Sequence, residues 1–461
     1  MSELSDALVL FGATGDLAKK KIFPSLFQLE KRGRLNMPIV GVASSEMTTD
    51  DLRARAADAI LAADPGADRS LIDALCSKLT YVSGDYRDAS TFERLADCLA
   101  GCKKPLYYLA IPPALFDDVA TGLHQVGVTE HARVVVEKPF GRDLESAVEL
   151  NEVLHRVFPE DSIFRIDHYL GKESVESLLI FRFANSMFEP IWNSNYISSV
   201  QITMAESFGV EGRAKFYETA GAMRDVVQNH LLQVLALLAM EPPVDASATG
   251  LHDEKVKLFK QVRAIDPAHA VRGQYRGYVD EEGVTPGSDT ETFIAVKLWI
   301  DSWRWAGVPF YIRGGKYLAG TATEAVVEFK KPPRLFFAGP DTPMPSANHL
   351  RFRLGKNDGV TLHLQAKAPG DRMVSKPVDL KVSYEQALGH RQDAYERLLG
   401  DAIEGDTTRF GREDSLEQQW RIVDNVLARP EPVRLYTKGT WGPEVAGRLL
   451  ESGTTWYEPE G

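Results

Sequence analysis

The stretch RIDHYLGKES, residues 165–174, crowds Arg165, Asp167, His168, Tyr169, Lys172 and Glu173 onto the end of an apolar run. Groups this costly to bury do not finish a strand that only supports a core. His168, Tyr169 and Lys172 supply three donors suited to a phosphate or similar anion, with Lys172 about a turn beyond His168 if a helix begins there. Asp167 would repel such a ligand. Its use lies in another partner, such as a histidine that must be oriented. A candidate stands in GAMRDVVQNHLLQ, where Asp225, Asn229 and His230 fall near the polar side of a helix that then turns apolar as LLQVLALLA. A lone histidine at such an edge is more often structural, so the helix alone does not pair His230 with Asp167.

A second chemical stretch opens the chain. ALVLFGATGDLAKKK is a strand, then Gly12, Ala13, Thr14 and Gly15, then a helix begun by Asp16 and Leu17. Gly12 permits a tight turn, Gly15 lets backbone approach a pyrophosphate, and the helix offers free N–H groups with the positive end of its dipole. This predicts dinucleotide binding, although Ala18 stands where a third glycine often lies. At the end of the second strand an acidic side chain selects NAD and an arginine selects NADP. GVASSEMT places Ser44, Ser45 and Glu46 there. That leans towards NAD, with serine hydroxyls able to tolerate a phosphate weakly.

These groups need a scaffold, and the first 170 residues spell one. ALVLFG, PIVGVA, LTYVSGD, PLYYLA, RVVVEKP and IFRIDHY are short β-branched runs separated by amphipathic helical stretches, the pattern of a doubly wound parallel sheet. Such folds bind ligands at the carboxyl ends of the strands. Asp85, Lys138 and the 167–172 cluster all fall at those ends, and Tyr108 of PLYYLA is a further candidate for contact with the cofactor. Later strands are longer and alternate with period two: ISSVQITMAE, TFIAVKLWI, PFYIRGG, AVVEFK, LRFRL and VTLHLQAK. They predict a large, mainly antiparallel sheet with helices on one face. The expected organisation is α/β plus α+β: a Rossmann-type domain over 1–172 and an α+β domain over 173–461, closely packed with the active cleft between them.

Composition narrows the classes further. At 461 residues, two domains are the default. Apolar residues at 44% and charged residues at 26% are globular values, and a net charge of −12 argues against nucleic acid or anionic membrane as a partner. The N-terminus is acidic where a secretory signal is basic, and no apolar run reaches membrane-spanning length, so a cytoplasmic protein is expected. Three cysteines suit a reducing compartment. Cys98 and Cys102 stand four apart without other clustered ligands, so no metal site is expected.

In order along the chain, FGATGDLAKKK, EKPFG, RIDHYLGKE, RDVVQNHLLQ and FYIRGGK resemble glucose-6-phosphate dehydrogenase, as do NHLRFRL, LQAKAPG, DAYERLLGDAI and DSLEQQWRIVD. The likeness runs from about residue 7 past residue 430. It implies oxidation at C1 of glucose 6-phosphate to the 6-phospho-1,5-lactone at the entry of the pentose phosphate pathway, with hydride passing to NADP or NAD. By the same resemblance His230 is the general base and Asp167 its hydrogen-bonding partner. His168, Tyr169 and Lys172 grip the 6-phosphate, while Lys138 touches sugar and cofactor beside a cis-proline at Pro139. Glu206 and Asp225 bind sugar hydroxyls, Lys316 reaches in from the second domain, and the chain forms a homodimer or homotetramer through its large sheet.

Two departures stand out. The family commonly carries an arginine where Ser44 lies, and a second basic residue after Lys316 where this chain offers Thr321. A lost charge-assisted contact is worth ~1.5–3 kcal/mol. The alternatives are a dehydrogenase of another C6-anionic sugar, or a cofactor-binding regulator without the chemistry.

Overall fold

The computed structural model describes residues 4–335, 344–355 and 357–460. It forms two compact units, one of 1–173 with Val244–His252 and Gln392–Glu417, the other of Ser174–Pro243, Asp253–Arg391 and Gln418–Gly461.

The first unit holds a six-stranded sheet: β1 (Ala7–Phe11), β2 (Ile39–Ala43), β3 (Leu79–Ser83), β4 (Pro105–Leu109), β5 (Arg133–Val136) and β6 (Ile163–Arg165). All pairings are parallel, in the order β3-β2-β1-β4-β5-β6. Every residue of β1 is buried. Ala7, Val9 and Phe11 enter one apolar cluster and Leu8 and Leu10 the other, so both faces of the strand must be covered. The chain reverses direction across the sheet between β1 and β4, the switch point at which such sheets open a ligand crevice.

After β1, a π-helical turn, Ala18–Ile22, runs into α1 (Phe23–Lys31). Helix α2 (Thr49–Ala63) starts on a reciprocal cap: Thr48 Oγ1 accepts the Asp51 N–H at 3.2 Å and Asp51 accepts the Thr48 N–H at 2.8 Å. The helix Ala394–Glu404, remote in sequence, joins the same unit by placing Leu398, Leu399, Ala402 and Ile403 in the cluster that holds Leu8 and Leu10.

The described residues of the second unit form nine strands: β7 (Ile197–Ala205), β8 (Ala270–Tyr275), β9 (Phe293–Leu298), β10 (Phe310–Gly315), β11 (Ala322–Phe329), β12 (His349–Arg353), β13 (Gly359–Lys367), β14 (Ser375–Ser383) and β15 (Arg434–Tyr436). Their order is β14-β13-β12-β11-β7-β10-β9-β8-β15. Among the described residues only the pairs β7–β10 and β8–β15 are parallel. That exception has a local consequence: β7 and β10 end side by side, Ala205 opposite Gly315, so Glu206 and Lys316 leave the sheet as neighbours.

Candidate active site

The glycine turn is built by exclusion. Gly12 has φ +79, and a Cβ there would lie 2.2 Å from the Ala110 carbonyl oxygen after β4, so no other residue fits the exit of β1. Its N–H points to Val42 O at 2.9 Å and Tyr86 Oη at 3.0 Å, and the Gly15 N–H closes the turn on Gly12 O at 2.9 Å. The turn therefore presents bare backbone beneath a helix start at the switch point, which fits a dinucleotide pyrophosphate. Thr14 Oγ1 lies 3.1 Å from Ser45 Oγ, and Ser44 is exposed. Ala13 is buried, Leu17 packs on the core, and Asp16 is paired with Lys20 at 2.9 Å. Asp85 accepts the Arg87 N–H at 3.0 Å. Tyr108 is fully enclosed and its hydroxyl donates to Glu137 at 2.6 Å, so its side chain serves the interior.

Beyond β6 the chain makes two turns, Leu170 N–H to Asp167 O at 2.9 Å and Lys172 N–H to Tyr169 O at 3.1 Å. The helix starts only at Glu173, later than a helical reading of His168 to Lys172 supposes. The turns keep the donors together: the Lys172 ammonium lies 3.5 Å from the centre of the Tyr169 ring, and His168 packs edge-on against that ring at 5.1 Å. Asp167 is buried and its Oδ1 accepts the Tyr169 N–H at 2.9 Å. Arg165 is structural, 1% exposed, clamped by both oxygens of Glu160 at 2.8–2.9 Å and by Asn151. Glu173 likewise accepts the Gln392 N–H at 3.3 Å.

In the second unit a pocket is lined by Met204, Glu206, Tyr217, Asp225, Gly315 and Lys316, among others. Lys316 Nζ bonds Glu206 Oε2 at 2.5 Å, with its ammonium 5.1 Å from the Tyr217 ring centre. Asp225 and His230 ride on a π-helical segment, Met223–Leu231, that follows Gly221 at φ +62 and ψ 173. The break lets the chain turn under Glu291, which accepts the Met223 N–H on its carboxylate at 3.1 Å and the Ala222 N–H on its carbonyl at 2.9 Å. Burial, with Asp225 and Glu291 close by, pushes the Tyr217 hydroxyl far above its ordinary range, so it acts as a neutral donor.

A scaffold with these two sites matches known proteins along its whole length. Residues 9–177 match the family described as "Glucose-6-phosphate dehydrogenase, NAD binding domain", and residues 179–457 match "Glucose-6-phosphate dehydrogenase, C-terminal domain". The chain belongs to the glucose-6-phosphate dehydrogenase family. It is an oxidoreductase of that family with a nicotinamide dinucleotide cofactor. A relative named glucose-6-phosphate 1-dehydrogenase 1 from Mycobacterium bovis is 44% identical over 99% of this chain and 97% of its own. The Rhizobium meliloti glucose-6-phosphate 1-dehydrogenase is 41% identical over 98% and 97%. A crystal structure of glucose-6-phosphate 1-dehydrogenase from Mycobacterium avium superposes with TM-score 0.93 at 45% identity, covering 100% of this chain and 99% of that one. A glucose-6-phosphate dehydrogenase in complex with glucose 6-phosphate gives TM-score 0.90 at 36% identity, over 99% of this chain and 100% of that one.

Within this family member, sequence reading passed over several residues that shape the sites. Glu137, next to Lys138 and its cis peptide bond to Pro139, receives Tyr108 and Tyr395, and burial pushes its carboxyl up to about 7. Tyr395 in turn stacks on His168, ring centres 6.3 Å apart and planes 13° apart. Arg272 donates to Glu291 at 3.0 Å and so backs the cap of the π-helix. Thr321 bonds Ser207, through the N–H at 2.9 Å and the hydroxyl at 2.8 Å. Only the carboxylate type of Glu137 and Glu291 was visible beforehand; their partners lie 19 to 258 positions away.

Proposed function

We propose that this chain oxidises C1 of D-glucose 6-phosphate to 6-phospho-D-glucono-1,5-lactone. The pocket of the second unit carries this reading: a carboxylate, an ammonium and an aspartate converge in it beside the helix of His230, as a polyhydroxylated ligand requires. Glu206 and Asp225 accept sugar hydroxyls, and Lys316, oriented by Glu206, donates to them. His168, Tyr169 and Lys172 bind the 6-phosphate. His230 takes the proton of the C1 hydroxyl while Asp167 hydrogen-bonds its other ring nitrogen and stabilises the imidazolium. As the O–H proton leaves, the C1–H bond breaks towards the cofactor and C1=O forms. The bound nicotinamide supplies the hydride acceptor.

Gly12, Ala13, Thr14, Gly15, Asp16 and Leu17 hold the dinucleotide, NADP or NAD, with Ser44, Asp85, Tyr108 and Lys138 at its margins. Residues 1–172 form the dinucleotide domain and 173–461 the sugar and subunit-contact domain. The chain works as a cytoplasmic homodimer, alone or paired into a tetramer, at the entry of the pentose phosphate pathway. Among the described residues no helix is long and apolar enough to cross a membrane. The test is formation of reduced nicotinamide with glucose 6-phosphate, glucose 6-sulfonate and glucose, each with NAD and NADP. Glucose 6-phosphate is expected to be the best substrate; silence with it sinks the reading, and preference for the sulfonate favours the other C6-anionic sugar.

A further inference from the structure

The end of β2 lacks the arginine that usually meets a 2′-phosphate, but another arginine reaches the same corner. Arg55, in the second turn of α2, donates Nη2 to the Thr14 carbonyl at 2.5 Å. Thr14 Oγ1 is 3.1 Å from Ser45 Oγ. The Ser45 carbonyl is fastened by Tyr81 Oη at 2.7 Å and Ser83 Oγ at 3.0 Å, so the loop after β2 is held against the glycine turn. Two hydroxyls and a guanidinium thus converge where the adenosine ribose lies in folds of this kind. The guanidinium has donors to spare at its outer end, because the bond to Thr14 uses only Nη2, whereas Nε is buried away from a ligand. Three cations, Lys19, Lys20 and Arg55, stand against two carboxylates at this corner. Asp16 is held low chiefly by its hydrogen bond to Lys20, with Lys19 and Arg55 also acting on it; Glu46 is the other acidic group on the loop.

We propose that Arg55, with the hydroxyls of Thr14 and Ser45, forms a site for the 2′-phosphate of an adenine dinucleotide, reaching from α2 what an arginine at position 44 would reach from β2. The proposal rests on the dinucleotide reading of the glycine turn. A planar guanidinium matches two phosphate oxygens at once, which an ammonium does not.

Calorimetric titration of 2′,5′-ADP and of 5′-AMP into the full chain measures this without turnover. The expected margin in favour of 2′,5′-ADP is ~10- to 100-fold. Arg55→Ala removes it, Arg55→Lys keeps part of it, and the ratio of kcat/KM for NADP over NAD falls in step. Equal affinity for both probes in the unaltered chain, or a margin that survives Arg55→Ala, overturns the proposal. So does equal weakening of both probes, because Arg55 then only braces the glycine turn through Thr14. If neither probe binds the unaltered chain, the dinucleotide reading fails and takes the proposal with it. A clear margin in a chain inactive on glucose 6-phosphate leaves the proposal standing and removes only the sugar reading.

Discussion

A carboxyl group enclosed by two phenols, as Glu137 is by Tyr108 and Tyr395, titrates where most proteins work. Its folded value of about 7 lies above the usual 4.5, because lost hydration outweighs the hydrogen bonds it accepts. Between those values the folded chain holds a proton that the unfolded chain has released, so this group's contribution to stability declines as pH rises through that window. Glu137→Gln imitates the protonated group. Its melting temperature relative to the unaltered chain is expected to improve between about pH 5 and about pH 8; a pH-independent difference would refute the assignment. His230 makes a sharper claim. Steady-state rates of His230→Asn should show turnover lowered by ~10²–10⁴, the usual worth of a general base, with little change in KM for the sugar. Full turnover in that variant would place the base elsewhere.

At the level of elements, the segment Met223–Leu231 depends on residues outside itself. Glu291 is 5% and Arg272 7% exposed, and Glu291, held by Arg272, binds the start of the helix that carries Asp225 and His230. Glu291→Ala removes one member of a buried ion pair and leaves Arg272 with only the exposed Asp289 carboxylate at 3.6 Å and the Glu431 and Asp289 carbonyls, at a cost of up to ~3–5 kcal/mol. Denaturant unfolding should register that loss, and the double variant Arg272→Met, Glu291→Met should recover much of it. If the single variant costs under ~1 kcal/mol, the pair is not what secures the helix.

On the whole-molecule scale, β14 is an edge strand that leaves apolar side chains in water. Val378, Leu380 and Val382 are 42%, 58% and 45% exposed, project from one face, and lie opposite Leu364, Leu362 and Val360 of β13. An apolar edge of this kind invites a partner. A second copy of the chain is the occupant that the dimer reading requires. Light scattering after size exclusion should find a dimer or tetramer, and Leu380→Asp should shift it to smaller species. A monomer in the unaltered chain would leave the face unexplained and end the dimer reading.

Legibility followed the range of the interaction. The six parallel strands were readable because burial on both faces turns each into a short apolar run. In the second sheet β8, β14 and β15 escaped notice. β8 contains Arg272, Gly273 and Gln274, whose polar atoms are satisfied by distant Glu291, Ser288 and Thr290, and β14 carries Lys376, Pro377, Asp379 and Lys381. The stretch DAYERLLGDAI has a helical period, yet nothing local says that it packs in the first unit. By itself the sequence determined which chemistry was available: donors after β6, glycines after β1, and a histidine at the head of an apolar helix, since residue type and spacing are properties of chain neighbours. Tertiary structure alone decided that Arg55 meets Thr14, Tyr395 meets Glu137 and Glu291 meets Met223. Those contacts join residues 41, 258 and 68 positions apart, and only the packing of whole helices and strands selects them.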